Sequence, residues 1–165
     1  MANKTLVARN VGRRWRSVRV NDDSKGIHMA TAPAFEVIGD TEELYGIKGL
    51  PFVPAIRVPA GRDIIFVSGV LGGPVPGDDA TDIRSETHRL FRTMEKVLGW
   101  SGATLADVIS VNKFLVDVDR DNPTIVEVMG EYFEKFPTST TVEVPRLVPP
   151  DLKLEVSCIA AVLPR

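Results

Sequence analysis

The first chemistry this sequence offers is a carboxylate on a strand. The run Leu152-Lys-Leu-Glu-Val-Ser-Cys-Ile-Ala-Ala-Val162 alternates, with Leu152, Leu154, Val156, Cys158, Ala160 and Val162 forming one apolar face. Lys153, Glu155 and Ser157 face the other way. On that polar side Glu155 has a physical case as general base for a water. The plainer alternative is a solvated or paired strand residue. Gly69 closes the apolar run Asp63-Ile-Ile-Phe-Val-Ser. A glycine there lets the backbone approach a ligand closely. Cys158 falls on the apolar face and reads as a small buried hydrophobe rather than a nucleophile.

Other chemistries are absent. His28 and His88 are the only histidines, and neither has metal-ligand spacing, so no metal is expected. There is no phosphate loop of the Gly-x-x-x-x-Gly-Lys type and no Gly-x-Gly-x-x-Gly fingerprint. No serine sits in a Gly-x-Ser-x-Gly elbow. No cofactor is expected. The single cysteine rules out an intramolecular disulfide. A net charge of −2 argues against nucleic acid or an acidic membrane surface as the main partner. No apolar run approaches the ~20 residues that cross a bilayer. A cytoplasmic protein is the default expectation.

The elements that must position these residues follow from patterning. Residues 52–58 read as a strand, with Pro54 suggesting an edge or bulge. Residues 63–68 read as a buried strand, followed by a Gly/Pro-rich loop. Asp79, Thr81 and Asp82 crowd the start of a helix whose stripe is Ile83, Thr87, Leu90, Phe91, Met94, Val97 and Leu98. His88 falls off that stripe and is expected in solvent. Thr104-Leu-Ala-Asp107 resembles a small capping box. Residues 108–118 read as a strand. A second helix opens at Asn122-Pro123, with Val126, Met129, Tyr132, Phe133 and Phe136 on one face, and ends at Pro137. Two strands close the chain. In the first, Ser139, Thr141 and Glu143 point opposite to Thr140, Val142 and Val144.

The order β-β-α-β-α-β-β makes an α+β layer fold, a mixed sheet with two helices on one face. The sheet's other face is half apolar, and no helix of this chain can cover it. That predicts subunit contact.

The first 28 residues differ from the rest. Lys4, Arg9, Arg13, Arg14, Arg16, Arg19 and Lys25 face only Asp22 and Asp23. An arm for phosphate groups, a targeting leader, and a plain extension upstream of a start at Met29 are the three readings. The extension is the simplest. The division expected is a basic arm or extension over residues 1–48 and a domain over 49–165.

From about residue 49 to 162 the chain resembles the RidA (YjgF) family, also called endoribonuclease L-PSP. The resemblance rests on Asp63-Ile-Ile-Phe-Val-Ser-Gly69, Val97-Leu-Gly99, Ala103-Thr-Leu-Ala-Asp-Val108, Asn112-Lys-Phe-Leu-Val-Asp-Val118, Phe136-Pro-Thr-Ser-Thr-Thr-Val-Glu-Val144 and Leu152-Lys-Leu-Glu-Val156, in that order. It implies a chorismate-mutase-like fold and a homotrimer with small-molecule sites in the clefts between subunits. It also implies hydrolysis of enamines or imines made from amino acids, giving a 2-oxo acid and ammonia.

The resemblance further places an arginine that forks onto the substrate carboxylate where this chain has Ser139. It places a pocket tyrosine at Phe52 and an asparagine at about Met129. The acidic residue of the last strand is kept as Glu155, and Gly69 is kept. Under this reading Glu155 handles the water, backbone near Thr141 orients it, and Phe52 and Met129 form an apolar wall. Arg146 is a weaker substitute for the missing cation. The expectation is a divergent deaminase of altered specificity. The alternative is a trimer that binds or senses a small metabolite without turning it over. RNA contact through the basic arm is a third, weaker idea.

Overall fold

The computed structural model describes residues 35–164. The basic segment of residues 1–28 and the readings attached to it lie outside the described residues.

A small two-stranded sheet comes first. β1 (Glu36–Ile38) pairs antiparallel with β2 (Ala55–Arg57). Between them lies a short helix, α1 (Thr41–Tyr45), capped by Asp40, whose carboxylate accepts the Glu42 N–H at 2.7 Å. The strand expected over residues 52–58 is therefore shorter and stands outside the main sheet. Pro51, Pro54 and Pro59 explain this, since a proline cannot donate to a ladder. What ties residue 53 to the main sheet is one bond, from the Val53 N–H to the Pro137 carbonyl at 3.2 Å.

The main sheet has four strands: β3 (Asp63–Leu71), β4 (Val108–Leu115), β5 (Thr138–Glu143) and β6 (Leu154–Val162). Their order is β3-β6-β4-β5. β6 runs antiparallel to both neighbours, while β4 and β5 are parallel, so the sheet is mixed as expected. The two long helices are the crossovers: α2 (Ile83–Trp100) joins β3 to β4, and α3 (Val118–Tyr132) joins β4 to β5. Thr104 and Asp107 form the expected capping box, on a single 3₁₀ turn.

α2 starts where Asp82 accepts the Ser85 N–H at 2.9 Å. Hydrogen bonds from Ser85, backbone first, hold the Asp82 carboxyl below its ordinary range. The stripe of α2 is largely as the sequence predicts: Thr87, Leu90, Phe91, Met94 and Leu98 are buried. α3 differs. Its N-cap is Asp117, which accepts the Arg120 N–H at 2.9 Å, so the helix begins before Asn122 and β4 ends at Leu115. Asp119 and Asp121 in the first turn complement the helix dipole. Pro123 sits within the helix and forgoes one backbone hydrogen bond. The buried face of α3 is Ile125, Val128 and Met129, with Val126 only half-buried.

The core lies between the helices and one sheet face. Leu90, Phe91, Met94, Leu98, Ile125, Val128 and Met129 pack against Val111, Leu115, Leu154, Val156, Cys158 and Ala160. Each buried Val, Leu, Ile, Phe or Met among them contributes roughly 1.5–3 kcal/mol relative to exposure. His88 is half-buried rather than fully in solvent. Its Nδ1 lies 3.0 Å from the Tyr132 hydroxyl, and the two rings pack together.

Two buried charges fasten α2 to its surroundings. Glu86 accepts the Lys153 and Leu154 N–H groups at 2.8 and 2.9 Å. Arg89 donates to the Gly72 carbonyl, Asp78 and the Ala80 carbonyl at 2.9, 2.8 and 2.7 Å. Gly72 is required there, because a Cβ would stand 1.9 Å from the Glu86 carbonyl oxygen. Backbone cannot yield as a side-chain tip can. Gly72→Ala is expected to cost about 1–3 kcal/mol or more, read as a lowered melting temperature.

Candidate functional site

Strand register decides which of the candidate residues meet. On β6, Leu154, Val156, Cys158 and Ala160 turn toward the helices and are buried. Glu155, Ser157 and Ile159 therefore turn to the open face. Opposite them stand Phe114, Asn112 and Ser110 of β4, and beyond those Val142, Thr140 and Thr138 of β5. On the other flank Ile159 pairs with Phe66 and Glu155 with Leu71 of β3. No element among the described residues covers this face. Phe66 is 77% exposed, with Ile64 and Val142 also open to solvent.

The β3–β6 ladder slips between Val67 and Val70, so Ser68 and Gly69 together stand opposite Ser157. This is a bulge, a device that re-aims backbone. Glu155 lies directly on it: a Cβ added to Gly69 would be 1.8 Å from Glu155 Oε1. The glycine is thus the floor on which the carboxylate rests. The clash would fall on the tip of a flexible side chain, not on backbone. Gly69→Ala is therefore expected to leave the melting temperature nearly unchanged while displacing the carboxylate. Any activity that depends on this carboxylate should fall about 10²-fold, the usual penalty for a misplacement of about 1 Å.

The other candidates lie on the opposite side of the sheet. Ser139 pairs with Val111 and Thr141 with Lys113, and Val111 and Lys113 are buried on the helix side. Ser139 and Thr141 therefore share that side, with the fully buried Met129 on α3 belonging to the same core. Ser139 Oγ is buried and has no hydrogen-bond partner among the described residues. Phe52 packs edge-on to Tyr45 at 5.9 Å, next to Val53, which bonds to Pro137 at the head of β5. Within one chain, then, Gly69 and Glu155 form one group, and Ser139, Thr141 and Met129 another. The sheet separates them.

Two clefts formed by described residues lie elsewhere. One, of about 540 Å³, is lined by Leu71, Pro74, Arg89, Pro149, Leu152 and Lys153. Another, of about 450 Å³, is lined by Leu105, Tyr132, Phe133 and Lys135, among others. Neither includes Glu155 or Ser139. Cys158 is buried, and desolvation pushes its thiol up to about 11, which removes it as a nucleophile. Arg146 is exposed in its turn. Among the described residues no group of three or more His, Cys, Asp or Glu could hold a metal ion. No helix of the described residues is long and apolar enough to cross a membrane.

One polar residue escaped the motif reading. Lys113 is 2% exposed, in the middle of β4. Burial alone pushes its ammonium down to about 8. The signal is present in the sequence, since Lys113 falls midway between the inward Val111 and Leu115.

Comparison with known proteins agrees with this architecture. The endoribonuclease L-PSP family model matches residues 48–162. A 2-iminobutanoate/2-iminopropanoate deaminase of Dermatophagoides farinae is 32% identical over 115 residues, 68% of this chain and 86% of the relative. The 3-aminoacrylate deaminase RutC of Acinetobacter baylyi is 34% identical over 119 residues, 68% and 87% of the two chains. Among solved structures, a Rid-family protein from Yersinia pestis superposes with a TM-score of 0.65 at 21% identity, covering 78% of this chain and 99% of its own, which speaks to the fold. The chain belongs to the RidA (YjgF, endoribonuclease L-PSP) family.

Proposed function

We propose that this protein is a hydrolytic deaminase of small imines or enamines, acting in clefts between the copies of a homotrimer. The observation that carries this reading is Glu155 seated over the Gly69 bulge, on a sheet face no element of the described chain covers. A second copy against that face would bury Phe66 and supply the wall that the open face lacks. It would also bring a second sheet's Ser139–Thr141 edge to Glu155. The relatives' names support the reaction class, since iminobutanoate, iminopropanoate and aminoacrylate are all imine or enamine acids.

The chemistry is simple in outline. The Glu155 carboxylate takes a proton from water as the water oxygen bonds to the imine carbon. Return of that proton to nitrogen gives the carbinolamine; Glu155 then carries the hydroxyl proton to nitrogen as the C–N bond breaks and the C=O forms, leaving a 2-oxo acid and ammonia. Phe52 supplies apolar wall, and backbone near Thr141 orients the reacting groups; Met129, fully buried, serves the core behind them instead.

The second reading is a trimer that binds a small metabolite without turning it over. Ser139 favours it, because a serine cannot replace a bidentate arginine–carboxylate contact. Ammonia release from iminopropanoate, generated in place by an amino-acid oxidase, separates the two. The deaminase reading expects the wild-type protein to exceed spontaneous hydrolysis. An inert wild type beside an active Ser139→Arg variant would establish the binding reading instead.

A further inference from the structure

We infer that the cleft of about 540 Å³ between the loops of residues 72–82 and 144–153 is a binding site for a small amine with an apolar body, met at its ammonium by Asp151. The inference goes beyond the proposed function and does not depend on it.

Buried charge on α2 holds the cleft open. Its walls are two loops, and both are fastened to that helix. Arg89, 4% exposed, donates to the Gly72 and Ala80 carbonyls and to Asp78, which fixes the first loop. Glu86, 1% exposed, accepts the Lys153 and Leu154 N–H groups at the end of the second. Lys153 Nζ then ties the second loop to the first, donating to the Thr81 carbonyl at 2.6 Å. Taking such charges out of water is costly unless every one is paired, and here each is paired to a cleft wall. The cleft therefore has its shape before any ligand arrives, which lowers the ordering cost of binding. Its volume falls within the roughly 300–1,000 Å³ of small-molecule sites.

The lining selects the ligand. Leu71, Pro74, Ala80, Pro149 and Leu152 give apolar walls. Arg89 is neutralised by Asp78 at 2.8 Å, and Glu86 by Lys153 at 3.7 Å. That leaves Asp151, which lines the cleft and has no hydrogen-bond or ion-pair partner among the described residues. One unmatched negative charge beside apolar walls fits an ammonium joined to an apolar group. A carboxylate ligand would meet Asp151 with like charge. Asp151 is exposed, so its ion pair adds only about fivefold in affinity, and burial of the apolar body supplies the rest.

The test is binding of 2-phenylethylamine to the full chain, followed by leucine-methyl NMR. The neutral and anionic controls are 2-phenylethanol and phenylacetate. The Leu71 and Leu152 methyls are expected to shift with the amine, while those of Leu90 and Leu98 in the core stay in place. The amine is expected to bind about fivefold tighter than the alcohol, and phenylacetate more weakly than either. Asp151→Asn is expected to bring the amine down to the alcohol's affinity and to leave the alcohol unchanged. Ala80→Trp, which fills the cleft, is expected to lose both. Three results would overturn the inference: Leu71 and Leu152 methyls unmoved by millimolar amine, an amine bound no tighter than the alcohol, or an amine affinity that Asp151→Asn leaves unchanged. Loss of the oligomer in Ala80→Trp, with the amine inert toward wild type, would give the cleft to a second copy instead. Binding rather than turnover is read, so a protein that binds the amine but releases no ammonia would keep this site while removing the deaminase reading.

Discussion

Glu155→Gln is expected to lower kcat/KM for iminopropanoate by about 10²–10⁴-fold, the range set by loss of a positioned general base. The substitution keeps the shape of the side chain and its contact with the Gly69 bulge. It removes only the ability to take a proton from water. Glu155 faces the open side of the sheet and contributes nothing to the core, so the melting temperature should stay within the small range of surface changes. A solvated strand carboxylate with no role would leave kcat/KM unchanged. Steady-state kinetics on wild type and variant distinguishes the two outcomes.

Lys113→Met is expected to stabilise the protein by about 3 kcal/mol at pH 7, on the basis of the lowered lysine pKa. The sign follows from proton counts. Lys113 titrates near 8 when folded and near 10.5 when unfolded. Between those values the unfolded chain holds the extra proton, so stability rises with pH from about 8 to 10.5. Below about 8 the full cost of the buried charge is present. Methionine fills similar space without a charge, which should raise the melting temperature by about 10 °C at pH 7. Near pH 10.5 the gap between variant and wild type should close. An equal gap at both pH values would mean the ammonium carries no such penalty.

Much of this was legible in the sequence because alternation and helical period are strong signals. The inward faces of β6 and α2 and the stop between them and the loops follow from residue type alone. Other parts depend on competition that a sequence does not display. Asn122-Pro123 carries a good helix-start pattern, yet Asp117 captures the first turn and α3 begins there instead. Residues 52–58 have strand-forming side chains, but three nearby prolines confine pairing to Ala55–Arg57 and send it to β1. β1 and α1 themselves are too short to show a period.

The site was legible residue by residue but not as an arrangement. Glu155 and Gly69 meet because a bulge in β3 brings Gly69 under the carboxylate, and a bulge is a property of pairing. Alternation says that Ser139 and Thr141 share a face. Only register says that it is the face opposite Glu155. Lys113 shows the reverse case, since its inward phase is plain between Val111 and Leu115 but its isolation from any counter-charge is not.

The central claim is that the two halves of the site lie on opposite faces of one sheet and meet only between copies. The most direct measurement is ammonia release by mixed oligomers of Glu155→Gln and Thr141→Trp, whose bulk blocks the neighbour's half of the cleft, co-refolded in equal amounts. Each variant alone is expected to be nearly inactive. In mixed rings, clefts that join an intact Glu155 from one copy to an intact Thr141 edge from its neighbour should restore about a quarter of wild-type activity by random assembly. Mixtures no more active than the separate variants would contradict the claim and place both halves within a single copy.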